Sequence, residues 1–102
     1  MDDNKSCIKP GGITYVDAGI QLLLKERGKT HGDFTAHARI TQSFKEIIDR
    51  EGHDGKLNDC MRESLDMIVH KIGRILAGDP DFKDHWDDIA GYAKLVADRC
   101  TK

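Results

Sequence analysis

Arg62-Glu63-Ser64-Leu65-Asp66-Met67-Ile68-Val69-His70-Lys71-Ile72-Gly73-Arg74 is the stretch whose spacing settles the fold class. Leu65, Ile68, Val69 and Ile72 recur every three or four residues, and Met61, Ile75 and Leu76 extend the pattern, as on a helix with one buried face. Asn58 or Asp59 opens this helix, and Gly78-Asp79-Pro80 ends it, because proline cannot continue the hydrogen-bond ladder.

The same reading works outward in both directions. Upstream, Asp33 or Thr35 caps a helix whose face carries Phe34, Ala38, Ile40, Phe44, Ile47 and Ile48, broken at Glu51-Gly52-His53-Asp54-Gly55. Before it, Val16, Ile20, Leu23 and Leu24 predict a first helix from about Tyr15 to Arg27, with Gly28 as its stop. Downstream, Asp84 is the expected N-cap of a last helix burying Trp86, Ile89, Ala90, Ala93, Leu95 and Val96. No stretch alternates with a period of two for long enough to read as a strand. The expectation is an all-α fold, a compact antiparallel bundle of four helices, with residues 1–13 a flexible N-terminal arm and 14–102 a single helical domain.

The chain has 102 residues, enough for one core, with 38% hydrophobic and 33% charged residues. A core this modest gains burial by self-association, so a homodimer or higher oligomer is expected. The formal charge of −2 and the scattered Lys and Arg argue against a nucleic-acid binder. No apolar run approaches the ~20 residues needed to span a bilayer, and no secretory leader is legible, so the expected compartment is the cytoplasm. Cys7, Cys60 and Cys100 have no CxxC spacing and read as reduced thiols.

Glu63, Asp66, His70 and Arg74 step along one stripe of the third helix, and Asp84 and Asp88 lie one turn apart on the last. Packed together, these helices can bring several carboxylates to one Mg²⁺, a hard ion that often bridges protein acids to phosphate. The alternative is that the acids form interhelical salt bridges or a solvated face, the aspartates near a helix start being favoured by the dipole alone. Lys29-Thr30-His31-Gly32-Asp33-Phe34 precedes the second helix, where backbone N–H groups meet anions and Phe34 can stack on a base. Phe34 fits the core equally well, and Gly28 with Gly32 fits ordinary turn punctuation. Trp86 reads as a core or subunit-interface anchor, Tyr92 as a pocket residue, and Gly73 and Gly91 as points of close approach. His37, His53 and His85 have no partner at metal-ligand spacing, and no HExxH, P-loop or GxSxG is present.

Three runs carry a resemblance: Glu26-Arg27-Gly28-Lys29-Thr30-His31-Gly32-Asp33-Phe34, Asp66 to Ile75, and Asp84-His85-Trp86-Asp87-Asp88-Ile89-Ala90-Gly91-Tyr92-Ala93. Together, over about residues 16–100, they resemble a small phage and prophage protein family. The arrangement is more distantly similar to the MazG-like all-α nucleoside triphosphate pyrophosphatases, although the chain has no full ExxE followed by ExxD. The second resemblance implies a Mg²⁺ held by Glu63, Asp66, Asp84 and Asp88, with Asp66 and Asp88 catalytic. It also implies Lys71 and Arg74 on phosphate oxygens, and Lys29, His31, Asp33, Phe34 and Tyr92 around the nucleoside. The expected function is thus a phage-encoded, Mg²⁺-dependent nucleoside triphosphate pyrophosphohydrolase acting in the bacterial cytoplasm. The alternatives are a non-catalytic protein that sequesters a nucleotide, such as a host defence signal, and a protein–protein interaction module.

Overall fold

The computed structural model describes residues 18–102. The described residues form four helices and no strand: α1 (Ala18–His31), α2 (Phe34–Glu51), α3 (Asp59–Ala77) and α4 (Lys83–Ala97). The all-helical expectation holds. The expected arm, together with Tyr15 and Val16 of the first helix, lies outside the described residues.

Helix α3 is the axis of the fold. Helices α2 and α4 both pack along it, whereas α1 touches α2 and α3 only lightly. The arrangement is open rather than a closed bundle, and it measures 53 × 32 × 22 Å. Val69, at the centre of α3, is the buried hydrophobic residue of the described chain. Around it the interior is polar, with His37, Thr41, Ser64, Lys71 and His85 all buried.

Two caps fall where the side-chain chemistry places them. Asp33 Oδ2 accepts from Ala36 N at 2.9 Å to start α2, and Asn58 Oδ1 accepts from Met61 N at 2.9 Å to start α3. The last helix differs from expectation. Its N-cap is Phe82, with no side-chain cap, and Asp84 sits inside the first turn, where the dipole still favours its charge. The first helix also runs on past Gly28 to His31. A glycine inside a helix costs only ~1 kcal/mol, and Lys29 and His31 suit the negative end of the dipole. The stop is Gly32, at φ +82°, whose N–H returns to Gly28 O at 3.0 Å.

Gly32 and Gly78 also join the halves of the fold. A Cβ on Gly32 would stand 2.0 Å from Ala77 O, and one on Gly78 would stand 2.4 Å from Thr30 O. Asp79 N–H donates to Thr30 O at 2.9 Å, and His85 Nε2, on an almost fully buried ring, reaches the same oxygen at 3.0 Å. Gly32 and Gly78 therefore act as a packed joint, and Gly32 is more than turn punctuation.

Gly73 is a point of close approach, since a Cβ there would come within 2.7 Å of His37 Nδ1. Gly91 is not, because nothing described lies within 4 Å of it. Trp86 is not a core residue: it is 53% exposed, and its indole N–H donates to Pro80 O at 2.8 Å. Ile20, Leu23, Leu24, Ile47 and Leu95, expected to face inward, are also exposed, because neither α1 nor the outer flanks of α2 and α4 are covered within one chain.

Candidate functional site: a cationic cavity beside the α1–α2 joint

The joint holds the end of α1 and the start of α2 over the second half of α3. Between them lies a cavity of about 580 Å³. Arg27 and His31, one turn apart on α1, and His70 and Arg74, one turn apart on α3, face each other across it. Asp33, the cap of α2, and Phe34 and His37 within it also line the cavity, as do Leu24, Gly28 and Gly32.

Its charge is positive. Arg27 and Arg74 stand close enough for Arg27 to push the Arg74 pKa down, on top of the larger effect of burial. Among the described residues neither guanidinium takes part in an ion pair. The one carboxylate among the described residues that line the cavity, Asp33, is engaged with Ala36 N. His31 is driven from 6.5 to about 4 by burial and then by the charges of Arg74, His85, Arg27 and Lys71, so it is neutral near pH 7. Its Nδ1 lies 2.9 Å from Thr30 Oγ1, and its ring packs against His85 at 5.1 Å between centroids. Phe34 is 69% exposed at the mouth, which rules out the core placement weighed for it.

The candidate residues separate into distinct places. His31, Asp33, Phe34 and Arg74 share the cavity. Lys29 is exposed and pairs with Glu26 at 3.4 Å. Lys71 is buried, and its ammonium pairs with Asp88 Oδ2 at 3.0 Å, which together with the Arg74 charge holds the Asp88 carboxyl below the ordinary carboxylate range. Asp66 pairs with Arg62 at 3.0 Å, and the same guanidinium reaches back to Asp49 of α2 at 2.6 Å. Glu63 and Tyr92 line a separate groove of about 290 Å³ between the start of α3 and the end of α4, beside Cys60 and Arg99. Asp84 is exposed in the first turn of α4. Among the described residues, no three His, Cys, Asp or Glu side chains stand together as a metal-binding group. The four carboxylates read as one Mg²⁺ site are thus spread over separate ion pairs and surfaces.

Sequence reasoning missed Arg27, His37 and His70 as members of one site. The signal was present for all three: Arg27 and His70 each precede a candidate residue by four positions, and His37 follows Asp33 by four. What spacing could not give is the contact of His37 with α3, which depends on how α2 crosses α3 at Gly73.

Residues 15–100 match the family model described as Domain of unknown function (DUF6378). The chain belongs to that family. The match takes in the joint, the cavity and both ion-paired stretches, so the DUF6378 domain is the whole described fold together with the few residues before it. No curated protein and no solved structure matches the chain.

Proposed function

We propose that this DUF6378 protein binds a nucleotide in the cavity, with phosphate on Arg27 and Arg74 and the base against Phe34. The observation that carries the proposal is the pair of arginines that line one cavity and, among the described residues, have no ion-pair partner. Like charges crowded at a partly buried site raise the free energy of the empty protein, and an anion relieves that repulsion. Guanidinium is also the side chain best shaped to grip phosphate through two parallel hydrogen bonds. The exposed ring of Phe34 at the mouth gives a stacking surface of the kind worth ~1–3 kcal/mol per base. The cavity volume lies within the ~300–1,000 Å³ usual for small-molecule sites.

Sequestration has more behind it than hydrolysis, because the acids expected to hold Mg²⁺ are apart and two of them are engaged by cations. The second reading is a phage-encoded, MazG-like, Mg²⁺-dependent pyrophosphohydrolase in the host cytoplasm. What favours it is Asp88, kept ionised by Lys71 while its side chain stays about half exposed. Self-association belongs to the same proposal. A 14-residue helix with no buried residue and with Ile20, Leu22, Leu23 and Leu24 all more than half exposed is marginal alone, and a second copy of this row would cover it.

Equilibrium dialysis against mono-, di- and triphosphates of the common nucleosides, with and without EDTA, tests the reading, with chromatography of the same samples for turnover. Retention that survives EDTA, with the ligand recovered intact, is the expected result. Metal-dependent release of pyrophosphate would replace it with the hydrolase, and neither retention nor turnover of any nucleotide would refute both.

A further inference from the structure

The charge of the cavity sets a limit on its ligand. Among the described residues that line it, two arginines against one aspartate leave a single positive charge in surplus, too little for a metal-free triphosphate chain and one short of a phosphate monoester dianion. The missing charge has a source in the cavity wall. His37 of α2 and His70 of α3 approach each other with Nε2 and Nδ1 3.4 Å apart and ring centroids at 5.3 Å. In this weak contact one neutral ring donates to the other, so two protons occupy four nitrogens and a third can be added without breaking the contact. His37 Nδ1 is buried and, among the described residues, without a hydrogen-bond partner at bonding geometry, and the neighbouring Gly73 backbone favours the protonated form of the ring.

We propose that the cavity is built for a nucleoside monophosphate, whose dianionic phosphate is met by Arg27, Arg74 and one proton taken from solvent by the His37–His70 pair. The proposal rests on the nucleotide reading above and narrows it to one phosphate.

In the empty protein the pair is held neutral. Burial is the largest cause for both rings. From α3, Arg74 and Lys71 act against a proton on His70, and Asp66 acts weakly for it. From α2, Lys45 acts against protonation of both rings. On the cavity side stand Arg27 and the neutral His31 of α1, with Asp33 turned to its cap. No carboxylate pairs with either imidazole among the described residues, so the charge that can stabilise a proton there is the one the ligand brings. A bound dianion reverses the balance, and binding and protonation then reinforce one another.

Isothermal titration calorimetry of adenosine monophosphate, its triphosphate and its cyclic phosphodiester tests this at pH 7 in EDTA, each in two buffers of different ionisation enthalpy. The monophosphate is expected to bind at least tenfold tighter than either other ligand and to take up close to one proton per site. His70→Asn, folded by circular dichroism, is expected to weaken it and to remove most of the proton uptake. Triphosphate or diester binding as tight as the monophosphate, or monophosphate binding without proton uptake, overturns this proposal while leaving nucleotide binding standing. Binding of none of the three refutes the nucleotide reading with it.

Discussion

Replacing Gly32 by alanine tests the joint that forms the cavity. Two costs add at this position. An L-residue at φ +82° is in left-handed backbone, a strain of roughly 1–2 kcal/mol. The new Cβ would also lie 2.0 Å from Ala77 O and 2.6 Å from Gly78 N, closer than packed atoms can stand, so the turn must back away from the end of α3. That movement stretches the two contacts to Thr30 O, from Asp79 N and His85 Nε2, each worth about 0.5–1.5 kcal/mol. The expected loss is about 2–5 kcal/mol, a large part of the ~5–15 kcal/mol that holds a small domain folded. Urea denaturation followed by far-ultraviolet circular dichroism reads it as a lower midpoint at unchanged slope. Gly55→Ala is the control, since Gly55 has φ +72° but nothing within 4 Å, and should lose only the strain of roughly 1–2 kcal/mol. Gly28→Ala, inside α1 and also in open space, should gain up to ~1 kcal/mol. If Gly32→Ala costs no more than Gly55→Ala, the joint does not hold the fold together and the reasoning fails.

Asp88→Asn should lower the melting temperature more than Lys71→Met, because the first leaves a buried ammonium without its counter-charge and the second removes the charge itself; the reverse order would contradict the pairing. Acid should weaken the fold through His31. Its folded pKa, about 4, lies below the ordinary 6.5, so its contribution is complete above 6.5, declines as pH falls and is gone below about 4. His37 and His70 shift in the same direction, and urea titrations from neutral to acid pH check the trend, which a flat profile across that window would refute. Phe34→Ala should leave stability nearly unchanged yet weaken nucleotide binding about 5- to 150-fold, the equivalent of ~1–3 kcal/mol of stacking. Leu23→Glu with Leu24→Glu should turn a concentration-dependent oligomer into a monomer in sedimentation; unchanged sedimentation would take the row on α1 out of any self-contact.

Much of the fold was legible because helix periodicity and capping are local. Asn58, Asp33 and the Gly78-Asp79-Pro80 break can be read from a few neighbouring residues, and they stand where local chemistry puts them. Gly28 was misread because glycine both weakens and ends helices, and the choice was made by Gly32 meeting Ala77 far along the chain. Asp84 looked like a cap from its type alone, but the helix begins two residues too early for it to serve. The cavity was half legible. The turn around His31 and Phe34 and the Arg74 stripe both pointed to an anion, but their convergence depended on the joint. The carboxylates are hard to read for a related reason: Asp66 shares a helical stripe with Arg62, Asp88 meets Lys71 from the neighbouring helix, and spacing cannot tell an acid that waits for a metal from one already paired.

Chemical-shift mapping on the ¹⁵N-labelled protein, titrated with adenosine monophosphate in EDTA, tests the central claim most directly. The account expects saturable shifts confined to the cavity, at Arg27, His31, Phe34, His37, His70 and Arg74, and their disappearance in a folded Arg74→Gln variant. Shifts centred instead on Cys60, Glu63 and Tyr92, or no saturable shifts, would contradict it.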